Sequence, residues 1–342
     1  MSADPLRQKK IVSKSDGGIR LDRWIAAHWS ELSRARVQEL LQQGFVLVDG
    51  LPAKPSLKLR GGEHVTVEVR QRPPLRAEAE SIPLDVLFED DDLLIVNKPA
   101  GMSVHAGAGN SRGTLVNALL GRGQQLSRGG AESDAPLRPG IVHRLDKETS
   151  GVIVVAKNDL AHAKLAESFR SRAVKKSYIA LVEGKLEKSA GKIDFPIGRD
   201  PVHRTRMKSF IPSSKLNKHV PPGHVRQALT EWRRLADFGI ATLLHVQLHT
   251  GRTHQIRVHL SAVKHPLVGD MLYGAAQHLS VGKNELPALP RQFLHAAKLG
   301  FPHPATGDWI EATAPLPEDL RDYLDTLAAA TGISTEGITG LL

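Results

Sequence analysis

RPGIVHRLDKETSGVIVVAK, residues 138–157, is the stretch from which both the fold and the chemistry can be read. Ile141-Val142 leads into His143-Arg144-Leu145-Asp146, Thr149-Ser150-Gly151 turns the chain, and GVIVVAK follows as an unbroken apolar run. A short run rich in β-branched residues and bounded by turn residues predicts a buried strand. Asp146 then sits on a tight loop at the entry to that strand, a rigid mount for a functional carboxylate. The same residue would also serve as an Asx-turn or as an ion-pair partner of Arg144, and this stretch alone leaves the choice open.

Outward from this point, strands are expected in the two apolar runs of LDVLFEDDDLLIVNKPAG (84–101), in SYIALVEG (177–184), ALTEWRRLA (228–236) and ATLLHVQLH (241–249). Helices are expected at 113–120, 159–172 and 253–263. Many strands, single helices and no regular βαβα alternation predict an α+β domain with a mixed, largely antiparallel sheet. Residues 121–139, 211–227 and 275–291 read as surface insertions or loops.

The front of the chain has a different character. Leu21, Trp24, Ile25 and His28 fall at helical spacing, and Ser33 is placed to cap a second helix carrying Val37, Leu40 and Leu41, with Gly44 as its stop. FVLVDG and HVTVEV then read as short strands, so residues 1–72 form a small α/β unit. Residues 73–81, within the Pro-containing QRPPLRAEAES, make a linker; a second domain follows over 82–330 and a tail over 331–342.

The charge follows the same division. The 342 residues carry 46 Lys+Arg against 36 Asp+Glu, a net +10. Residues 1–72 hold 13 and 8 of these, so about a fifth of the chain holds half the excess. That asymmetry points to a nucleic-acid-binding module. Arg34 and Arg36 open the second helix, where its dipole prefers anions, and a phosphate partner explains them.

Zero cysteines exclude disulfides, thiolate zinc sites, iron–sulfur clusters and Cys nucleophiles. No apolar run approaches the ~18–20 residues of a membrane span. The N-terminus lacks the apolar core of a signal peptide, so a cytoplasmic protein is expected, with monomer as the default state.

A second cluster, LHTGRTHQIRVHL (248–260), reads as strand, turn and helix, with Thr253 as cap and Ile256, Leu260 and Val263 facing the core. Arg257 is free to reach a carboxylate bidentately, and Arg252 sits at the helix entrance. His245, His249, His254 and His259 crowd this stretch but lack an HExxH arrangement, and no metal site is expected. GAGNSRGT (107–114) lacks the Lys-Ser/Thr of a P-loop, and no GxSxG elbow occurs.

His143-Arg144-Leu145-Asp146 with Thr149-Ser150-Gly151, together with TGRTHQIRVH (250–259), resembles the signature of the RluA/RluD-type RNA pseudouridine synthases. KKSYIALVEG around Tyr178, DDLLIVNKPAGMSVH, GRDPVHRTRM, HPLVGDMLYG and FLHAAKLGFPHPATGDWIEATAPLPEDL extend the likeness over roughly residues 82–323. Residues 19–70 resemble the S4-type RNA-binding domain.

The resemblance implies a pseudouridine synthase fold and a uridine-to-pseudouridine isomerisation that needs no metal or cofactor. It implies Asp146 as the catalytic carboxylate, acting on C1′ or on the 2′ proton. Arg257 would pair with it, Tyr178 would stack on the uracil and could assist proton loss from C5, and Arg144 would fill the stack left by the flipped base. Arg252, and Arg34, Arg36 and Lys54 of the S4-like unit, would hold RNA phosphate. Large-subunit (23S-type) rRNA, free or in an assembling subunit, is the implied partner. The alternatives are a non-catalytic S4-type RNA-binding or ribosome-assembly protein, and a glycosidase or nuclease, which would need a second carboxylate or a metal.

Overall fold

The structure, a computed structural model, describes residues 6–29, 32, 34–69, 78–105, 112–123, 126–127, 138–203, 206–211 and 225–335. The chain divides into two compact units, residues 1–74 and 75–342.

The first unit contains β1 (Leu6–Ile11), α1 (Leu21–His28), α2 (Arg34–Gln42), β2 (Val46–Val48), β3 (Leu51–Pro52) and β4 (His64–Val69). Its sheet has the order β1-β4-β2-β3 and is antiparallel. The helical stripes read from sequence supply its core: Leu21, Trp24 and Ile25 of α1 and Val37, Leu40 and Leu41 of α2 pack on Val46, Val65 and Val67. His28 is exposed and stacks on Trp24, and Trp29 takes the buried place instead. Gly44 ends the second helix in the left-handed region at φ 76. The expected cap, Ser33, lies outside the described residues.

The second unit runs β5 (Asp85–Glu89), β6 (Leu93–Lys98), α3 (Leu115–Gly121), β7 (Ser150–Ala156), α4 (Asp159–Arg170), β8 (Lys175–Glu183), β9 (Ala190–Ile193), β10 (Ile197–Arg199), β11 (Met207–Ser209) and β12 (Val225–Arg226). It continues with β13 (Thr230–Asp237), β14 (Ala241–Leu248), α5 (Gln255–Ala262), β15 (Ser280–Val281), β16 (Asn284–Glu285), β17 (Leu294–Pro302), β18 (Trp309–Thr313) and α6 (Glu318–Thr331). The main sheet has nine strands in the order β5-β6-β7-β17-β8-β14-β13-β9, with β18 on β17. Every pairing in it is antiparallel except β7 with β17. The domain is thus α+β with a mixed, largely antiparallel sheet.

β7 is buried along its whole length because both faces are covered. Ile153 and Val155 join the core beneath α3 and α5, while Val152, Val154 and Ala156 pack with Ala161 and Leu165 of α4. β8 alternates in the same way. Tyr178 and Ala180 face the α5 side, and Ile179 and Leu181 face Leu320, Tyr323 and Leu324 of α6. Gly151 is required where β7 meets β17: it has φ 113, and a Cβ there would lie 2.2 Å from the Ala296 carbonyl oxygen.

Three sequence expectations change. Residues 275–291 are not a surface loop: β15 and β16 form a hairpin, and Leu286 and Leu289 are buried in the core beside α6. Helix α5 is not capped by Thr253; it starts after His254, which has φ 54 and ψ 25 and gives no side-chain cap. α6 is an element the sequence reading passed over, although Glu318 and Asp319 in its first turn and Gly332 at its end are helix signals.

Candidate active site

Four residues of the loop before β7 are fixed in alternation. The His143 ring stacks on Phe169 of α4 at 4.6 Å, and its Nε2 accepts the Val154 N–H at 3.0 Å. Burial, with the Lys176 charge adding to it, pushes His143 down to about 3, so it stays neutral, with its proton on Nδ1. Leu145 is buried in the core. With residues 143 and 145 anchored inward, Arg144 is left exposed and Asp146 faces a cleft of about 590 Å³.

The residues after Asp146 are pinned one by one. Lys98 is fully buried, and its Nζ donates to the carbonyls of Pro99, Met102 and Lys147 at 2.7, 2.9 and 3.1 Å. Burial pushes its ammonium down to about 7, against the pull of Glu148 and Asp146. Arg291 donates to the Glu148 carbonyl at 3.1 Å while holding Asp319 of α6 bidentately at 2.6 and 2.9 Å. Gln292 donates to Thr149 Oγ1 at 3.2 Å.

From the other side comes the turn into α5. The buried Gln255 amide accepts from Thr250 Oγ1 and the Arg252 N–H and donates to the Leu229 carbonyl and Thr230 Oγ1, so all its polar capacity is spent on holding the turn. The helix then presents His254 and Arg257 to Asp146. Arg257 Nη1 lies 3.4 Å from Asp146 Oδ2, and His254 Nε2 lies 3.9 Å from Oδ1.

Sequence reading assigned Arg257 to Asp146, but its principal partner is Asp270. Arg257 Nε and Nη2 bind the two oxygens of Asp270 at 2.7 and 2.8 Å, a bidentate pair with both side chains almost wholly buried. Arg257 therefore bridges two carboxylates, tightly to Asp270 and loosely to Asp146. Asp270 and Lys98 were both missed as site residues. Each lies in a segment whose family likeness was noted, HPLVGDMLYG and DDLLIVNKPAG, but no local spacing marks either one.

Tyr178 lines the same cleft from β8. Burial and then the Asp146 charge push its phenol well up, so it remains protonated and is a poor base. Arg144 and Arg252 also line the cleft, and Arg252 Nε is anchored on the Gln227 carbonyl at 3.1 Å. Asp146 is the one acid among the described lining residues, beside Lys176 and six arginines, Arg144, Arg252 and Arg257 among them. In the first unit Lys54 is exposed, and the side chains of Arg34 and Arg36 lie outside the described residues.

The four histidines of 245–259 separate. His259 is buried, bonded to Thr230 Oγ1 and the Phe195 carbonyl, and His249 lies 3.1 Å from Glu231. Among the described residues, Asp90, Asp92 and His303 have ligand atoms close enough to share an ion. The chain itself already uses them: Asp90 accepts the Asp92 and Leu93 N–H groups and meets His303, and Asn158 donates to Asp92.

Residues 92–262 match the family model described as RNA pseudouridylate synthase, and residues 19–65 match the S4 domain. The chain is 43% identical over 334 residues, 95% of each chain, to a protein of Xanthomonas campestris pv. campestris named ribosomal large subunit pseudouridine synthase D. A Nitrosomonas europaea protein of the same name is 45% identical over 311 residues, covering 91% of this chain and 85% of its own. A solved structure of human RNA pseudouridylate synthase domain containing 4 matches with a TM-score of 0.54 and 27% identity, over 71% of this chain and 92% of that one.

Proposed function

Because this chain belongs to the RNA pseudouridylate synthase family, we propose that it converts uridines of large-subunit ribosomal RNA to pseudouridine, with Asp146 as the reacting carboxylate. The observation that carries this reading is the one acid among the described residues of a basic cleft, set beside Arg257 and Tyr178. A cleft lined by one sign of charge concentrates a polyanion and steers it inward.

The reaction breaks the N1–C1′ bond, turns the uracil, forms C5–C1′, and moves one proton net from C5 to N1 by exchange with solvent, so no electron or water is consumed. Asp146 either attacks C1′ or takes the 2′ proton; both routes need one oriented carboxylate, and Asp270 is committed to Arg257. Tyr178, protonated and buried, is suited to stack on the uracil and poorly suited to act as a base. A paired uridine must leave its stack before a carboxylate reaches its sugar, and the exposed Arg144, two residues from Asp146, fits the vacated place. Arg252 holds phosphate at the cleft, and Arg34, Arg36 and Lys54 do so on the S4 unit, taking residues 1–72 as its extent. The protein would act as a cytoplasmic monomer.

Tritium release from C5-labelled uridine in large-subunit rRNA transcripts tests the catalytic reading. Wild type should release label and Asp146→Asn should not; equal release from both, or none from wild type, refutes it. Deleting residues 1–74 should weaken rRNA binding and flatten its salt dependence. Unchanged binding would remove the S4 unit from substrate capture.

A further inference from the structure

The short turn Met271–Tyr273 and its neighbour Asp270 pack against α5 and serve both residues that α5 directs at Asp146. Asp270 holds Arg257, and Tyr273 holds His254: the Tyr273 Oη lies 2.8 Å from His254 Nδ1. The same oxygen accepts the Met207 N–H of β11 at 3.0 Å. A phenol has one proton to donate, and His254 Nδ1 is the acceptor within reach among the described residues. That proton therefore points at Nδ1, which leaves the imidazole proton on Nε2, the nitrogen 3.9 Å from Asp146 Oδ1. His254 is held there in a left-handed backbone conformation, φ 54 and ψ 25, which costs a non-glycine residue energy and persists where surrounding contacts enforce it.

We propose that Met207, Tyr273 and His254 form a positioning relay that fixes the His254 tautomer and so presents a neutral N–H donor to Oδ1 of Asp146. The inference rests on the reading of Asp146 as the reacting carboxylate. With Arg257 flanking Oδ2 and His254 facing Oδ1, rotation of the carboxylate is restrained from both sides. The 3.9 Å gap is one that closure around substrate or a bridging water spans. Neutrality matters because a second cation beside Arg257 would weaken the carboxylate as nucleophile or base. The groups facing His254 divide on this point: Asp146 and Asp270 favour its protonation, while Arg257 and Arg144 oppose it. Burial is the largest influence and lowers it below the ordinary imidazole range. A donated phenol proton at Nδ1 acts in the same direction. Tyr273, pushed up to about 12 mainly by burial, keeps that proton throughout. The relay also gives a use to β11, whose first residue Met207 supplies the anchoring N–H.

The test uses full-length protein labelled with ¹⁵N at histidine, with the His254 signals assigned by difference from His254→Gln. Long-range ¹⁵N–¹H spectra near neutral pH should show the Nε2–H tautomer; an Nδ1–H tautomer or an imidazolium overturns the proposal. In tritium-release kinetics Tyr273→Phe should lower kcat roughly tenfold while KM stays within about twofold. Its acid limb should move up by about one pH unit as Nδ1 loses its donor. Thermal melts establish that the variant is folded. Asp146→Asn is run in parallel. If that variant is as active as wild type, the catalytic reading itself fails. If it is inactive while a folded Tyr273→Phe keeps wild-type kcat and pH profile, the relay alone is rejected.

Discussion

Arg257 stands between two carboxylates, and a double-mutant cycle on each pair can measure how it divides itself. The structure fixes the expected order. Toward Asp270 it makes two bonds of 2.7 and 2.8 Å, with side-chain exposures of 9% and 1%; toward Asp146 it makes one of 3.4 Å, and Asp146 is 17% exposed. Breaking a buried pair by removing one partner costs about 3–5 kcal/mol, because the other charge is left uncompensated. Arg257→Met strands Asp270, so it should destabilise the second unit by roughly that amount as well as impair turnover. This departs from the expectation for an arginine whose sole task is to hold the reacting carboxylate, where the loss would fall on activity. The cycle with Asp270→Asn should return a coupling of about 2–4 kcal/mol, and the cycle with Asp146→Asn about 1 kcal/mol or less. Urea unfolding followed by fluorescence suits the measurement, since Trp24 and Trp29 report the first unit and Trp232 and Trp309 the second. A coupling to Asp146 equal to or larger than that to Asp270 would refute the assignment of partners.

Gly151→Ala should abolish stable folding, at a cost on the order of 4 kcal/mol or more, because its Cβ would meet the Ala296 carbonyl where β7 and β17 pair; a soluble variant with wild-type Tm contradicts this. Lys98→Ala strands the three carbonyls its ammonium satisfies and should cost about 2–4 kcal/mol in urea unfolding; an unchanged midpoint would show that water replaces it freely. His143 and His295, lowered from 6.5 to about 3 and about 4 chiefly by burial, take up protons on unfolding. Their contribution is complete above 6.5 and is lost as pH falls toward those folded values, at up to about 1.4 kcal/mol per pH unit each. A Tm that does not fall between about pH 7 and pH 5 would count against neutral buried histidines.

Elements whose signal is local were legible in the sequence. β7, β8 and β14 are apolar runs rich in Val, Ile and Leu, and α4 shows its stripe and its Asn158 cap. β17 was passed over because LHAAKLGFP carries two Ala and one Gly, has no β-branched residue and is interrupted by Lys298, which weakens its strand signal. β1, LRQKKI, is an edge strand paired among the described residues with β4 alone and carries the charge such an edge uses, which disguises it. At the site, Asp146, Tyr178, Arg144, Arg252 and Arg257 were each named from sequence and all line one cleft. The partner of Arg257 was not legible. Asp270 is 13 residues away along the chain and Asp146 is 111, and only packing decides which carboxylate takes the bidentate bonds. The tautomer of His254 depends likewise on Tyr273 and Met207, whose distance from it in sequence carries no periodic signal.

The pins behind Asp146 have a consequence for synthesis of the chain. Thr149 and Glu148 are secured by Gln292 and Arg291, each 143 residues later, Ser150 by His295, and Arg291 in turn by Asp319. A ribosome translating this protein has the aspartate out of the exit tunnel long before those fasteners are made. The nascent chain would carry the Asp146 loop unfastened while the 143 residues up to Arg291 and Gln292 are added. Competence then arrives late and together with the C-terminal helix, so a chain released before Asp319 would have its carboxylate in place in the sequence and misplaced in space.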